Sequence, residues 1–93
     1  MYVCMVYIVM YDINQTIKDY DSLYAAIKKV CNGDYQHPLE SVWLISTDMA
    51  VTELYNHIRP ELSDRDYLLI TKMTNVYYGW LSKNVWDWLR IKL

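Results

Sequence analysis

The sequence predicts one α+β domain (α/β in the broad sense), with elements in the order strand, helix, strand, strand, helix, strand. Three observations carry that expectation. The chain opens on a continuous apolar run from Tyr2 to Ile13, the right length for a strand. Two later stretches repeat apolar residues at helical spacing. Two more, Ser41 to Thr47 and Tyr67 to Thr74, return to β-branched and aromatic residues. The chain has 93 residues, which is one domain, with a core over 1–74 and a tail over 75–93.

The first run, Y-V-C-M-V-Y-I-V-M-Y-D-I, ends at a single acid, Asp12. It is too short to span a bilayer and has no charge ahead of it to serve a signal peptide. It reads as a strand buried on both faces. One face carries Tyr2, Cys4, Val6, Ile8 and Met10, and the other Val3, Met5, Tyr7, Val9 and Tyr11. Such a strand needs a cover on each side.

A polar connection, Asn14 to Lys18, follows. The first helix is expected from Asp19 as N-cap, with Asp21 at the positive end of the dipole. Tyr20, Leu23, Tyr24, Ile27 and Cys31 form its apolar stripe. Lys28 and Lys29 suit its last turn, and Asn32-Gly33 its left-handed stop. Asp34 to Glu40, with His37-Pro38, reads as a loop. Ser41 to Thr47 reads as the second strand, and Asp48 to Ala50 as a turn with room for a very short third strand. The second helix runs from Met49 or Val51 to Ile58, with the stripe Val51, Leu54, Tyr55, Ile58 and a cap from Thr47 or Asp48. Pro60 ends it. Ser63 to Asp66 is a polar turn, Tyr67 to Thr74 a strong strand, and Asn75 to Gly79 a break. Asn84 can cap a short helix in the aromatic tail.

This is the β-α-β-β-α-β pattern of a ferredoxin-like sandwich with a C-terminal aromatic tail or short helix. In that arrangement both helices lie on one face and the first strand is central. The other face is apolar here and needs a cover. A symmetric homodimer supplies one most simply; the aromatic tail folding back is the alternative.

Composition narrows the function classes. The chain is 54% hydrophobic, which argues against disorder. Net charge is −2, whereas a protein gripping a nucleic-acid backbone normally carries a basic excess. Ten tyrosines, four tryptophans and no phenylalanine favour half-buried or interfacial sites, with compositional drift as the plain alternative. Cys4 and Cys31 form no C-x-x-C and have no histidine at zinc spacing, so free thiols in a reducing cytoplasm are expected. With two glycines, no phosphate-cradling G-x-G-x-x-G or G-K-[ST] loop exists.

Taken together, Y-D-I at Tyr11 to Ile13, D-Y-D-S-L, S-V-W-L-I-S-T, the helix ending I-R-P-E-L, and D-Y-L-L-I-T-K-M-T resemble a known family. It is that of the small CRISPR-associated integration-scaffold proteins, and more closely their stand-alone SinR-like relatives. The likeness covers the chain to about Thr74. It implies a ferredoxin-like fold and a homodimer. For the CRISPR-associated branch it also implies a metal-dependent nuclease site at the dimer axis, built from the strand-end aspartate, here Asp12. This chain departs from that branch in two places. Asn14 to Tyr24 holds Lys18 where arginines are usual. Ser41-Val42-Trp43 keeps part of the usual second-strand motif.

Asp12 is the sharpest candidate for catalysis and for a metal. Two such acids across a twofold axis can hold one Mg²⁺ with waters and phosphate oxygens. The plain reading is an acid capping the following turn. Asp64 and Asp66 flanking Arg65 read as a solvated turn. His37 lies in a loop, and His57 is a partner for the dipole of the second helix. Lys72 faces a ligand, or guards an exposed strand against wrong pairing, which is the preferred reading. Tyr7, Tyr11, Lys72, Tyr78, Trp80, Trp86 and Trp88 are the candidate interface. Tail aromatics with few nearby cations suit protein contact better than base stacking. The expected function is a small dimeric interaction or nucleic-acid-associated module of a defence or mobile-element system. The alternatives are a Mg²⁺-dependent endonuclease using Asp12, and a phage- or mobile-element-encoded inhibitor docking on a host complex.

Overall fold

The computed structural model describes residues 3–14 and 20–93. They form β1 (Met5–Asp12), α1 (Asp21–Val30), β2 (Tyr35–Leu39), β3 (Val42–Thr47) and α2 (Val51–Ile58). A 3₁₀ turn (Arg59–Glu61), β4 (Tyr67–Lys72) and α3 (Lys83–Lys92) complete the fold. The class is α+β, a four-stranded antiparallel sheet in the order β2-β3-β1-β4 with three α-helices among the described residues. None of those helices is long and apolar enough to cross a membrane. Tyr2, the connection 15–18 and the expected cap Asp19 lie outside the described residues.

The period-2 rule explains why β1 is central. Tyr7, Val9 and Tyr11 point to one face and join Leu23, Ile27, Trp43, Ile45, Leu54 and Ile58 in the main core beneath α1 and α2. Val6 points to the other face, where it meets Leu44, Val85 and Leu89. Each of these fully buried side chains stabilises the fold by about 1.5–3 kcal/mol through lost contact with water. The two-sided reading of β1 therefore holds, and the second cover is intramolecular. It is α3, the tail, lying over one end of the outer sheet face.

Several expectations need correction. The hairpin is β2–β3, so the return strand precedes the Trp43 strand and Asp48 to Ala50 forms none. Its physical reason is Trp43, which stacks on His37 at 4.0 Å and meets Tyr35 at 4.9 Å and Tyr24 at 5.1 Å. That aromatic packing orders the His37-Pro38 segment as an edge strand, and a register shift between Gln36 and Leu39 accommodates the proline. Cys4 precedes β1 and is exposed, because the strand begins one residue later; Cys31 is buried, and both thiols are free.

Capping also differs. The N-cap of α1 is Tyr20 and that of α2 is Ala50, neither with a side-chain cap bond. Thr47 instead donates its hydroxyl to the Val30 carbonyl (2.9 Å) and accepts the Met49 N–H (3.2 Å), stitching β3 to the end of α1. In the α2 stripe Leu54 and Ile58 are buried, while Val51 and Tyr55 are exposed. The stop of α1 is as expected. Asn32 and Gly33 have φ of 52° and 79°, and the Gly33 N–H reaches the Lys28 carbonyl at 2.9 Å.

Candidate functional site

Register fixes what lies at the open end of the outer sheet face. Met10 pairs with Val42 on one side and Leu69 on the other, and Val42 pairs with Leu39. All four share the parity of Val6, so they form one apolar row across the sheet. Helix α3 does not reach it: Leu39 and Leu69 are 55% and 58% exposed. Tyr67, opposite Asp12, is 73% exposed. Met10, Asp12, Tyr67 and Leu69 line a shallow depression of about 250 Å³ there.

Asp12 is exposed at the end of β1, beside this depression. Among the described residues, no three His, Cys, Asp or Glu side chains stand together as a metal-holding group. Asp12 thus belongs to no such group among the described residues, and a hard cation bound there would draw on further oxygens. The turn acid is a different residue. Asp66 is buried and accepts the Asn14 N–H at 2.9 Å, the Ser63 N–H at 2.8 Å and the Ser63 hydroxyl at 3.0 Å. The expected solvated turn therefore applies to Asp64, which is fully exposed and 3.7 Å from Arg59.

The other candidates divide between core and surface. Tyr7 and Tyr11 lie in the main core. The Tyr7 hydroxyl donates to the Met49 carbonyl at 3.0 Å. The Tyr11 hydroxyl accepts from Trp43 Nε1 and donates to the Glu40 carbonyl, each at 3.0 Å. Burial pushes the Tyr11 phenol well above the usual tyrosine range, and does the same in direction for the Cys31 thiol. Lys72 is exposed at the end of edge strand β4. His37 lies in β2, and its Nε2 donates to the Glu40 carbonyl at 2.9 Å.

In the tail, Tyr77 stacks on Trp86, with centroids 5.8 Å apart and planes 8° off parallel. Trp88 Nε1 donates to Asp34 Oδ1 at 2.9 Å, and Lys92 Nζ meets Asp34 Oδ2 at 2.6 Å, so one carboxylate anchors α3 to the start of β2. Tyr78 and Trp80 make no such contact and are 106% and 97% exposed. The two sets of candidates thus separate cleanly: Trp86 and Trp88 fasten the helix, and Tyr78 and Trp80 project from the loop before it. Leu39, Tyr67 and Leu69 were missing from the sequence-based site. The alternation of Tyr67 and Leu69 against Leu68 and Ile70 was the available signal.

Other depressions lie elsewhere on the described surface. One, of about 400 Å³ between α1 and α2, is lined by Ser22, Ala25, Ala26, Lys29, His57 and Glu61 among others. Another, of about 310 Å³, has Cys4, Cys31, Asp34 and Asp48 on its walls. Compared with protein-family models, curated proteins and solved structures, the chain matches none.

Proposed function

We propose that this chain is a ferredoxin-like interaction module that works as a homodimer in the cytoplasm, akin to the CRISPR-associated scaffold proteins and serving a defence or mobile-element system. The observation that carries the docking reading is the uncovered apolar row Leu39–Val42–Met10–Leu69, together with the projecting Tyr78 and Trp80. Contiguous apolar surface rimmed by polar residues is how docking sites present themselves. The ferredoxin-like assignment draws support from β1 lying between β3 and β4, with α1 and α2 against one face. Light scattering over a dilution series tests the assembly. The expected result is dimer mass, and a monomer at every concentration overturns the homodimer.

A second reading is favoured by the position of Asp12 beside that same row. In this reading two copies instead pack face to face across this end of the sheet, which would bring two Asp12 carboxylates toward the axis to share one Mg²⁺ with waters and a phosphodiester. Labelled RNA and DNA incubated with Mg²⁺ or Mn²⁺ test it against Asp12→Ala. Cleavage lost in a folded variant supports an endonuclease; an inert wild type removes it.

A further inference from the structure

The sheet has two edges, and they are built differently. The β2 edge carries Pro38 and a register shift, both of which spoil pairing with another strand. The β4 edge runs from Tyr67 to Lys72 with neither. Hydrogen-bond parity shows which of its backbone groups are free. The Met73 N–H bonds the Val6 carbonyl at 2.8 Å, and the Tyr11 N–H bonds the Ser41 carbonyl at 3.1 Å. Even positions of β1 therefore bond β4 and odd positions bond β3. By the same alternation Tyr67, Leu69 and Thr71 bond inward, and the N–H and C=O of Leu68, Ile70 and Lys72 point away from the sheet. No described strand takes them.

We infer that a second copy of this chain pairs with this edge, β4 against β4 in antiparallel register centred on Leu69. The inference rests on the homodimeric reading above and says where the two copies meet. Three features point to a second copy rather than a foreign strand. First, antiparallel self-pairing places the Lys72 end of each strand beside the Asp64–Asp66 turn of the other. That sets a cation at each end against an acid, with Asp64 fully exposed. Second, a twofold axis perpendicular to the sheet keeps each outer face on the same side. Centring it on Leu69 joins the two apolar rows into one, Leu39–Val42–Met10–Leu69 meeting its own copy end to end. Third, Tyr67 comes opposite Thr71, so its largely exposed ring gains a cross-strand neighbour. The pair forms one eight-stranded sheet, with the free groups of Leu68 and Ile70 satisfied by each other.

Substitutions at three positions of β4 test the contact by sedimentation and cross-linking. Ile70→Pro removes an outward N–H and no bond to β1, so the monomer fold should persist by circular dichroism while the dimer is lost. Lys72→Glu should raise the dimer dissociation constant about tenfold by setting like charges together, and adding Asp64→Lys should restore it. Leu69→Cys, in a Cys4→Ser background, should form an intermolecular disulfide on mild oxidation, since facing residues of a non-hydrogen-bonded pair sit about 4.5 Å apart. A dimer that survives both Ile70→Pro and Lys72→Glu overturns the β4 contact and leaves the homodimer standing. A wild type that is monomeric throughout overturns both. A dimer broken by these variants without the Leu69→Cys cross-link keeps the edge and overturns the register.

Discussion

At the residue scale, two aspartates on neighbouring strand ends have opposite jobs. Asp66 is buried and holds three donors that close the chain between β1 and β4. Asp66→Ala takes the carboxylate acceptor from the part-buried N–H groups of Asn14 and Ser63 and should cost about 1–3 kcal/mol in urea unfolding. Asp12→Ala, at an exposed position, should change stability by less than about 0.5 kcal/mol. Tyr11 gives a pH prediction. Its folded pKa is raised by burial, as is that of Cys31. An acid that ionises less readily when folded adds stability below its unfolded pKa, and that stability is lost as pH rises further. Stability should therefore fall from about pH 8.5 upward, more steeply above about pH 10. Tyr11→Phe should flatten the upper part of that limb. It should also cost about 1–3 kcal/mol at neutral pH by orphaning the Trp43 indole N–H. Urea titrations at a series of pH values read both effects.

At the element scale, the least secured piece is α3. Its apolar grip is Val85 and Leu89 on Val6 and Leu44, and its polar anchor is Asp34. The Lys92–Asp34 pair is partly exposed and is weakened by salt. Amides of α3 should exchange with solvent before those of β1, and Asp34→Ala should speed their exchange while leaving β1 protected. Hydrogen exchange read by mass spectrometry separates the two segments. The stop of α1 is a backbone device. Gly33 has φ of 79°, and a Cβ there would meet nothing within 4 Å, so Gly33→Ala should cost about 1 kcal/mol from backbone strain alone.

At the scale of the whole molecule, the two sheet faces are covered unequally. The inner face is closed by α1 and α2, and the outer face is closed by α3 at one end and left apolar at the other. Tyr78 and Trp80 project beyond both cores. Trp80→Ser should leave the unfolding free energy within about 0.5 kcal/mol of wild type, because the ring buries nothing in the monomer. It should also lower binding of an amphiphilic dye, which reports apolar surface. A large loss of stability would mean that Trp80 is packed in solution.

Much of the fold was legible because local chemistry set it. The two-sided apolar run dictated a central strand. The helical stripe from Leu23 to Cys31 and the Asn32-Gly33 stop dictated α1, and Pro60 marked the end of α2. What failed was non-local. Strand β2 carries a proline and a histidine that read as a loop, and it exists because Tyr35 and His37 find Trp43 across the hairpin. Sequence spacing placed Tyr11 and Tyr78 in one candidate surface; burial separated them, since a strand's parity does not say which face receives the helices. Likewise the sequence demanded a second cover for β1, and only the tertiary structure decided that α3 supplies half of it. Hydrophobic periodicity determines which residues must leave water. The path of the chain decides which neighbours they meet, and here it lays α3 over one end of the outer sheet face and leaves the other end exposed.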